Sequence, residues 1–307
     1  VAIVGGHAGM AGAVSLAAQA ALHAGAGLVH AVVDAPSVAA VQAAVPQALA
    51  EAWPTPDAHR GDGADTAADD GPDAMDTLAR CDALALGPGL GRGARSAALL
   101  ERVMTAHRDR DCALVLDADA LWLIADVAQS LGTDPAAVMR HWTRSARSVV
   151  CTPHPGEFAQ LLGRAVPAAW DERAAALQAF AVRSGAIVLL KGTPTLIATP
   201  DGAPLQVAPY GTPLLATGGS GDLLTGVIVA LLGHGIAPAT AAAAGAAAHG
   251  RAAELATARL GGVLGGTLEA VLQAFPEAWH GLAHGGARAP GVLAELPSPL
   301  SIAARFA

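Results

Sequence analysis

The residues best equipped for chemistry lie at Ala216-Thr217-Gly218-Gly219-Ser220-Gly221-Asp222, directly ahead of the apolar run Leu223–Leu232. Glycines let a main chain approach a phosphate closely, and successive amides at a helix head point toward an anion. An anion hole made of Gly219, Ser220, Gly221 and Asp222 follows from that placement. Asp222 would stand in the first helical turn, and a carboxylate beside a phosphate pocket is unfavourable unless it has a task there. Taking the proton of an acceptor hydroxyl during phosphoryl transfer is such a task, which makes Asp222 the candidate catalytic base. The plain alternative is an N-cap, with Ser220 or Asp222 closing the helix. A Walker loop is excluded, because no Gly-Lys-Ser/Thr follows the glycines.

Other candidates fall at the ends of apolar runs. Lys191 closes Val188-Leu189-Leu190 and enters the turn Gly192-Thr193-Pro194-Thr195, where a lysine can meet phosphate or ribose or simply leave the core for water. His154 is held between Pro153 and Pro155, three residues ahead of Glu157, either as a substrate contact or as part of a rigid turn. Gly87-Pro88-Gly89-Leu90-Gly91 ends another run with a turn whose backbone can approach a ligand. Asp117 and Asp119 follow Leu116, and their spacing favours helix capping and structural roles over a hydrated cation. Near the start, Gly6, Gly9 and Gly12 precede a helical run, and Asp34 sits where a dinucleotide fold places its ribose-binding acid. The spacing there is GxxGxxG rather than GxGxxG, which weakens a dinucleotide reading.

These turns need a scaffold that brings strand ends together. Short β-branched runs (Val1–Val4, Gly27–Val33, Ala83–Leu86, Ala113–Leu116, Ser148–Cys151, Ile187–Leu190) predict strands. Ala/Leu-rich runs between and beyond them (Gly12–His23, Pro36–Val45, Ser96–His107, Trp170–Ser184, Asp222–Leu232, Pro238–Ala256) predict helices. That alternation implies an α/β fold, a mostly parallel central sheet with helices on both faces, which binds ligands at the carboxyl edge of its strands. With 307 residues, 53% of them hydrophobic and 3% aromatic, the chain can build one large core from small side chains. No linker divides residues 1–284, and residues 285–307, rich in Ala, Gly and Pro, read as a C-terminal extension. The acid-rich stretch Pro54–Asp76 reads as a solvated, mobile loop. A net charge of -8 without a basic stripe argues against nucleic acid, and the apolar runs are too short to span a membrane. Three unpaired cysteines, each in an apolar run, suit a reducing, cytoplasmic compartment.

Six segments, in this order, carry a resemblance: GGHAGMAGA, ALGPGLG, LDADAL, TPHPGEFAQLLG, LLKGTPTLIATPDG and ATGGSGDLLTG. Over roughly residues 1–280 the chain resembles the ADP-dependent NAD(P)H-hydrate dehydratases of the ribokinase-like superfamily. The resemblance implies a ribokinase-like fold and a repair reaction, in which the S-form of hydrated NADH or NADPH is dehydrated with ADP, releasing AMP and phosphate. It implies that Lys191, Gly192, Thr193, Pro194, Thr195 and Gly221 contact the nucleotide. Ala13, Gly89, Gly91, His154 and Asp222 would contact the hydrate. Mg2+ would accompany the diphosphate, with no dedicated protein metal site. Many relatives carry an epimerase domain, which makes an epimerase, fused or separate, an expected partner, and a homo-oligomer is compatible with the fold. Two departures stand out: His7 replaces the usual Ser of the first turn, and Thr212 replaces an Asn ahead of Pro213. A small-molecule kinase of the same superfamily, acting on a thiamine or pyridoxal precursor, fits the same turn. A non-catalytic dinucleotide-binding module would rest instead on the first glycine turn and Asp34.

Overall fold

The structure, a computed structural model, describes residues 1–53, 74–107, 110, 112–143, 148–284 and 294–296. Among these residues ten strands form one sheet: β1 (Ala2–Gly5), β2 (His30–Val33), β3 (Leu49–Ala52), β4 (Ala83–Leu86), β5 (Ala113–Leu116), β6 (Ser148–Cys151), β7 (Ile187–Leu190), β8 (Thr195–Ala198), β9 (Leu205–Ala208) and β10 (Ala294–Leu296). Their order is β10-β9-β8-β7-β6-β5-β4-β1-β2-β3. The stretch from β3 to β7 is parallel throughout, whereas β8, β9 and β10 pair antiparallel.

All six strands expected from the sequence are present. The expected Gly27–Val33 strand is shorter at its start, and the β8–β9 hairpin adds to the expected set. That hairpin turns at Pro200-Asp201-Gly202, where Asp201 Oδ1 accepts the amide of Ala203 at 3.1 Å, the local bond that favours Asp in turns. Residues 294–296 of the expected C-terminal extension pair with β9. The acid-rich stretch lies outside the described residues from 54 to 73, and its end, Ala74–Asp76, opens a helix.

Among the described residues eleven α-helices cover the sheet: α1 (Ala11–His23), α2 (Val38–Ala44), α3 (Ala74–Ala79), α4 (Ala94–Ala106), α5 (Asp119–Ser130), α6 (Pro135–Thr143), α7 (Pro155–Leu162), α8 (Trp170–Ser184), α9 (Ser220–Gly233), α10 (Pro238–Leu260) and α11 (Leu268–His284). Alternate strand residues face opposite layers. Leu84, Leu86, Leu114, Leu116, Val188 and Leu190 pack under α4 to α8, where Phe158 and Phe180 meet edge to face at 5.7 Å. The other face presents mainly small residues, such as Ala83, Ala85, Ala113 and Val115, to α1, α2, α9 and α10.

Small side chains let α9 lie close to the sheet and to α1. Residues Leu223–Ala230 are all buried, the pattern of a helix enclosed on every side. A Cβ at Gly226 would lie 2.0 Å from the Ala17 carbonyl oxygen of α1, so that crossing leaves no room for a side chain. The enclosed helix holds its first turn at a fixed place above the sheet edge. Among the described residues no helix is long and apolar enough to cross a membrane.

Candidate active site

The carboxyl ends of β5, β6 and β7 converge on the head of α9. Asp117, one residue beyond β5, is 1% exposed. Its Oδ1 accepts from Lys191 Nζ at 2.8 Å, and its Oδ2 accepts from Thr225 Oγ1 at 2.7 Å. Lys191, one residue beyond β7, has a second carboxylate neighbour, Glu157 Oε2, at 3.7 Å. Glu157 is placed by a reciprocal cap at the start of α7. His154 Nδ1 accepts the amides of Gly156 and Glu157 at 3.0 and 3.2 Å, and Glu157 Oε2 accepts the His154 amide at 2.8 Å. Breaking a buried ion pair by removing one partner costs about 3–5 kcal/mol, so Lys191 and Asp117 hold each other in place.

Gly219, the N-cap of α9, has φ +93, a conformation that suits glycine, and no side chain caps the helix. The Ser220 amide donates to the Thr217 carbonyl at 3.2 Å, and its hydroxyl to the Leu215 carbonyl at 2.6 Å. The Gly221 and Asp222 amides have no acceptor among the described residues. A Cβ at Gly221 would sit 3.1 Å from Lys191 Nζ, so the ammonium lies directly against the anion turn. The turn borders a cavity of about 700 Å3, which runs from His154 and Glu157 past Lys191 to Tyr210 and His249.

The charges are unbalanced. Asp117, Glu157 and Asp222 face a single ammonium, Lys191. Burial, then the Asp117 charge, pushes the Asp222 carboxyl up to about 7 against the opposing pull of Lys191. Glu157 is also raised by burial. Burial alone would lower Lys191, but the carboxylates of Asp117 and Glu157 outweigh it and raise the amine. Asp222 accepts no hydrogen bond and forms no ion pair among the described residues, so its oxygens are free to receive a proton. On α10, buried His249 is kept neutral, its pKa pushed down to about 4 by burial.

Beside this cavity two turns are zipped together: the Gly6 amide donates to Pro88 O at 2.9 Å, and the His7 amide to Gly89 O at 2.7 Å. They follow β1 and β4, the neighbouring strands at which the strand order reverses, the usual crevice of open α/β sheets.

Residues 1–274 match the NAD(P)H-hydrate dehydratase family. The chain belongs to that family. It is 36% identical over 259 residues to the ADP-dependent (S)-NAD(P)H-hydrate dehydratase of Neisseria meningitidis serogroup B, covering 83% of this chain and 76% of that protein. It is 35% identical over 255 residues to the bifunctional NAD(P)H-hydrate repair enzyme of Vibrio cholerae, covering 83% of this chain and 44% of that one. The chain thus spans less than half the length of its bifunctional relatives. Among solved structures, the ADP/ATP-dependent NAD(P)H-hydrate dehydratase of Bacillus subtilis co-crystallized with ATP/Mg2+ superposes with a TM-score of 0.68 at 26% identity, covering 91% of this chain and 88% of that one. A hydroxyethylthiazole kinase from Pyrococcus horikoshii, at 14% identity and a TM-score of 0.54, shares the fold.

Within this dehydratase-family fold, the expected nucleotide residues Lys191, Gly192, Thr193, Thr195 and Gly221 line the cavity, as do Gly219, Ser220, Asp222 and His154. Pro194 lies behind them, in a side pocket of about 220 Å3 next to Lys191. Ala13, Gly89 and Gly91 form the neighbouring wall instead. A Cβ at Gly89 would meet the Ala13 side chain at 3.1 Å, and one at Gly91 the His7 ring at 3.2 Å. The two regions adjoin through Leu16, one helical turn beyond Ala13, whose side chain reaches Gly219.

Some expectations need correction. The Ser220 amide is engaged by Thr217 and is not a free member of the anion hole. Asp34 is buried, accepts the Ala35 amide at 3.1 Å and pairs with Arg95 at 3.4 Å, so it is a turn residue rather than a free ribose acceptor. Asp117, expected to cap a helix, belongs to the site. Asp119 keeps the structural role, accepting from the Gly91 amide at 2.8 Å and from Arg92 at 2.7 Å. Thr212, which replaces an Asn, caps the short turn that follows it by accepting the Leu214 amide at 3.2 Å. Tyr210 and His249 also line the cavity, and Thr225 joins the site through Asp117; Thr225 and His249 sit inside apolar helical runs, which mark them in the sequence only as core positions.

Proposed function

We propose that this chain dehydrates the S-form of hydrated NADH or NADPH at the expense of ADP, releasing AMP and phosphate. The observation that carries the reading is the unpaired Asp222 carboxylate beside the unoccupied amides of Gly221 and Asp222 at the head of α9. Membership of the dehydratase family and likeness to the ADP-dependent Neisseria protein support the choice of substrate and donor.

The ADP diphosphate lies along Lys191–Thr195 with its terminal phosphoryl group at the Gly221 and Asp222 amides. Asp222, with its proton affinity near neutrality, takes the proton of the ring hydroxyl as that oxygen bonds to phosphorus and AMP leaves. The hydroxyl is now a phosphate ester, a far better leaving group than hydroxide. The carbon–oxygen bond then breaks with its electron pair going to phosphate, and the adjacent ring carbon loses a proton to water to restore the double bond. Amide dipoles and the Lys191 ammonium, fixed before reaction, face the charge on the moving group. The wall of Ala13, Gly89 and Gly91 receives the nicotinamide end.

Mg2+ fits this arrangement as a companion of the diphosphate. Three carboxylates against one ammonium favour a nucleotide that arrives with its charge partly neutralised. The ion would be held through the diphosphate. Bound there, it supplies charge neutralisation.

The test is to incubate the chain with ADP, Mg2+ and hydrated NADH while following reduced-nicotinamide absorbance. Recovery of absorbance with stoichiometric AMP supports the reading. No recovery, together with stable phosphorylation of another alcohol, would replace it with a kinase.

A further inference from the structure

We infer that Asp117 is a positioning residue for this site, a buried clamp whose two carboxylate oxygens tie the Lys191 ammonium at the end of β7 to Thr225 on α9. The inference rests on the dehydratase reading of Asp222 and Lys191 and adds the part that holds them in one frame.

The clamp joins segments far apart in sequence. Lys191 is 74 residues from Asp117 and Thr225 is 108 residues from it. Both oxygens are engaged by protein donors, and the residue is 1% exposed, so Asp117 acts through its partners and not on the reacting atoms. Thr225 follows Asp222 by three residues, one helical turn later on the same face. A bond from Asp117 to Thr225 therefore fixes the rotation of the α9 head that carries the base. The other oxygen fixes the ammonium against Gly221, where a Cβ would lie 3.1 Å from Nζ and 3.8 Å from Asp117 Oδ2. One carboxylate sets the distance between the anion turn and its cation.

Its charge acts alongside its geometry. Asp222 is faced by Asp117, Lys191, Asp119 and Glu157, and Asp117 is the carboxylate that raises it most. Lys191 is faced by Asp117, Glu157 and Asp222, and by neutral His249 on α10. On β6, Cys151 is held as the thiol by burial and by Asp117. Removing the Asp117 charge lowers the proton affinity of Asp222, by loss of a like charge, and that of Lys191, by loss of an opposite one. Both limbs of a pH–rate profile then move the same way, toward acid. An ion pair remote from the reacting groups would lower stability and leave both limbs in place.

The experiment compares kcat, KM and their pH dependence from about pH 5 to about pH 10 for the parent and the Asp117→Asn, Thr225→Val and Thr225→Ser variants, with ADP and hydrated NADPH. Asp117→Asn is expected to lower kcat roughly ten- to a hundredfold, to raise KM for ADP more than KM for the hydrate, and to shift both limbs to lower pH. Thr225→Val keeps the charge and removes the tether; kcat drops about tenfold with both limbs unmoved, and Thr225→Ser restores it. Limbs of Asp117→Asn at their parental positions, or a parental kcat in Thr225→Val, overturn the proposal. Should Asp117→Asn fail to fold, the Thr225 pair decides. If the parent shows no dehydration, the functional reading fails separately, and the clamp is then judged on ADP binding by calorimetry. Loss of affinity at lower alkaline pH in Asp117→Asn supports it, and an unchanged profile refutes it.

Discussion

Asp222→Asn is the sharpest test of the chemistry, because the substitution changes one proton site and almost nothing else. Asp222 has no hydrogen-bond or salt-bridge partner among the described residues, so the amide leaves no orphaned donor behind it. In the parent, burial and Asp117 push the carboxyl up to about 7. A base with that affinity is about half ionised at pH 7 and about one-tenth ionised at pH 6. The parent log kcat/KM therefore climbs with unit slope below pH 7 and levels off above it. An aspartate at the ordinary 3.8 would give a flat profile across the same range. Removal of a general base costs about 10²- to 10⁴-fold in rate, equivalent to about 2.7–5.5 kcal/mol in the barrier. The variant should fall by that factor and lose the acidic limb. ADP binding should hold or tighten, since the site loses one of three carboxylates facing a polyanion. Absorbance recovery from hydrated NADH gives the rate and calorimetry gives the affinity. Stability supplies the control. A folded pKa raised above the unfolded one means that this group's stabilising contribution is present below pH 3.8 and is lost as pH rises through about 7. The variant should accordingly melt above the parent at pH 8, with the gap closing toward pH 4. Turnover within tenfold of the parent, or an acidic limb near pH 4, refutes the base assignment.

Three further outcomes follow from the geometry. Gly221→Ala places a methyl 3.1 Å from Lys191 Nζ at the mouth of the anion turn, and ADP affinity measured by calorimetry should fall about tenfold or more while the melting temperature changes little. Lys191 is the single lysine in the sequence and its ammonium is held by Asp117 and Glu157; an amine-acylating reagent at pH 8 should leave it unmodified in the folded protein and modify it after denaturation, as read by peptide mass. Gly226→Ala drives a methyl to 2.0 Å from the Ala17 carbonyl, and separating α1 from α9 should cost about 3 kcal/mol in urea unfolding, with a matching loss of activity as the α9 head shifts.

Much of this protein is written locally in its chain. The anion turn is legible at Gly218–Asp222 because glycines and a following apolar run state a close-approach turn and a helix start within a few residues. The six parallel-type strand runs are legible because strands buried on both faces must be apolar along their whole length. The rest depends on which segments become neighbours. The β8–β9 hairpin hides because its two strands flank Pro200-Asp201-Gly202, a turn easily read as part of a loop. α11 hides because Pro276 lies inside it. Asp117 reads as a helix cap until the order β5-β6-β7 brings Lys191 within 2.8 Å of it and α9 brings Thr225 within 2.7 Å. The sequence alone therefore determined the fold class and the turn that can grip a phosphate. Tertiary structure decided the proton affinity of Asp222 and the partner of Lys191, because burial and the charges around a group are properties of everything packed against it, and those neighbours come from residues a hundred positions away.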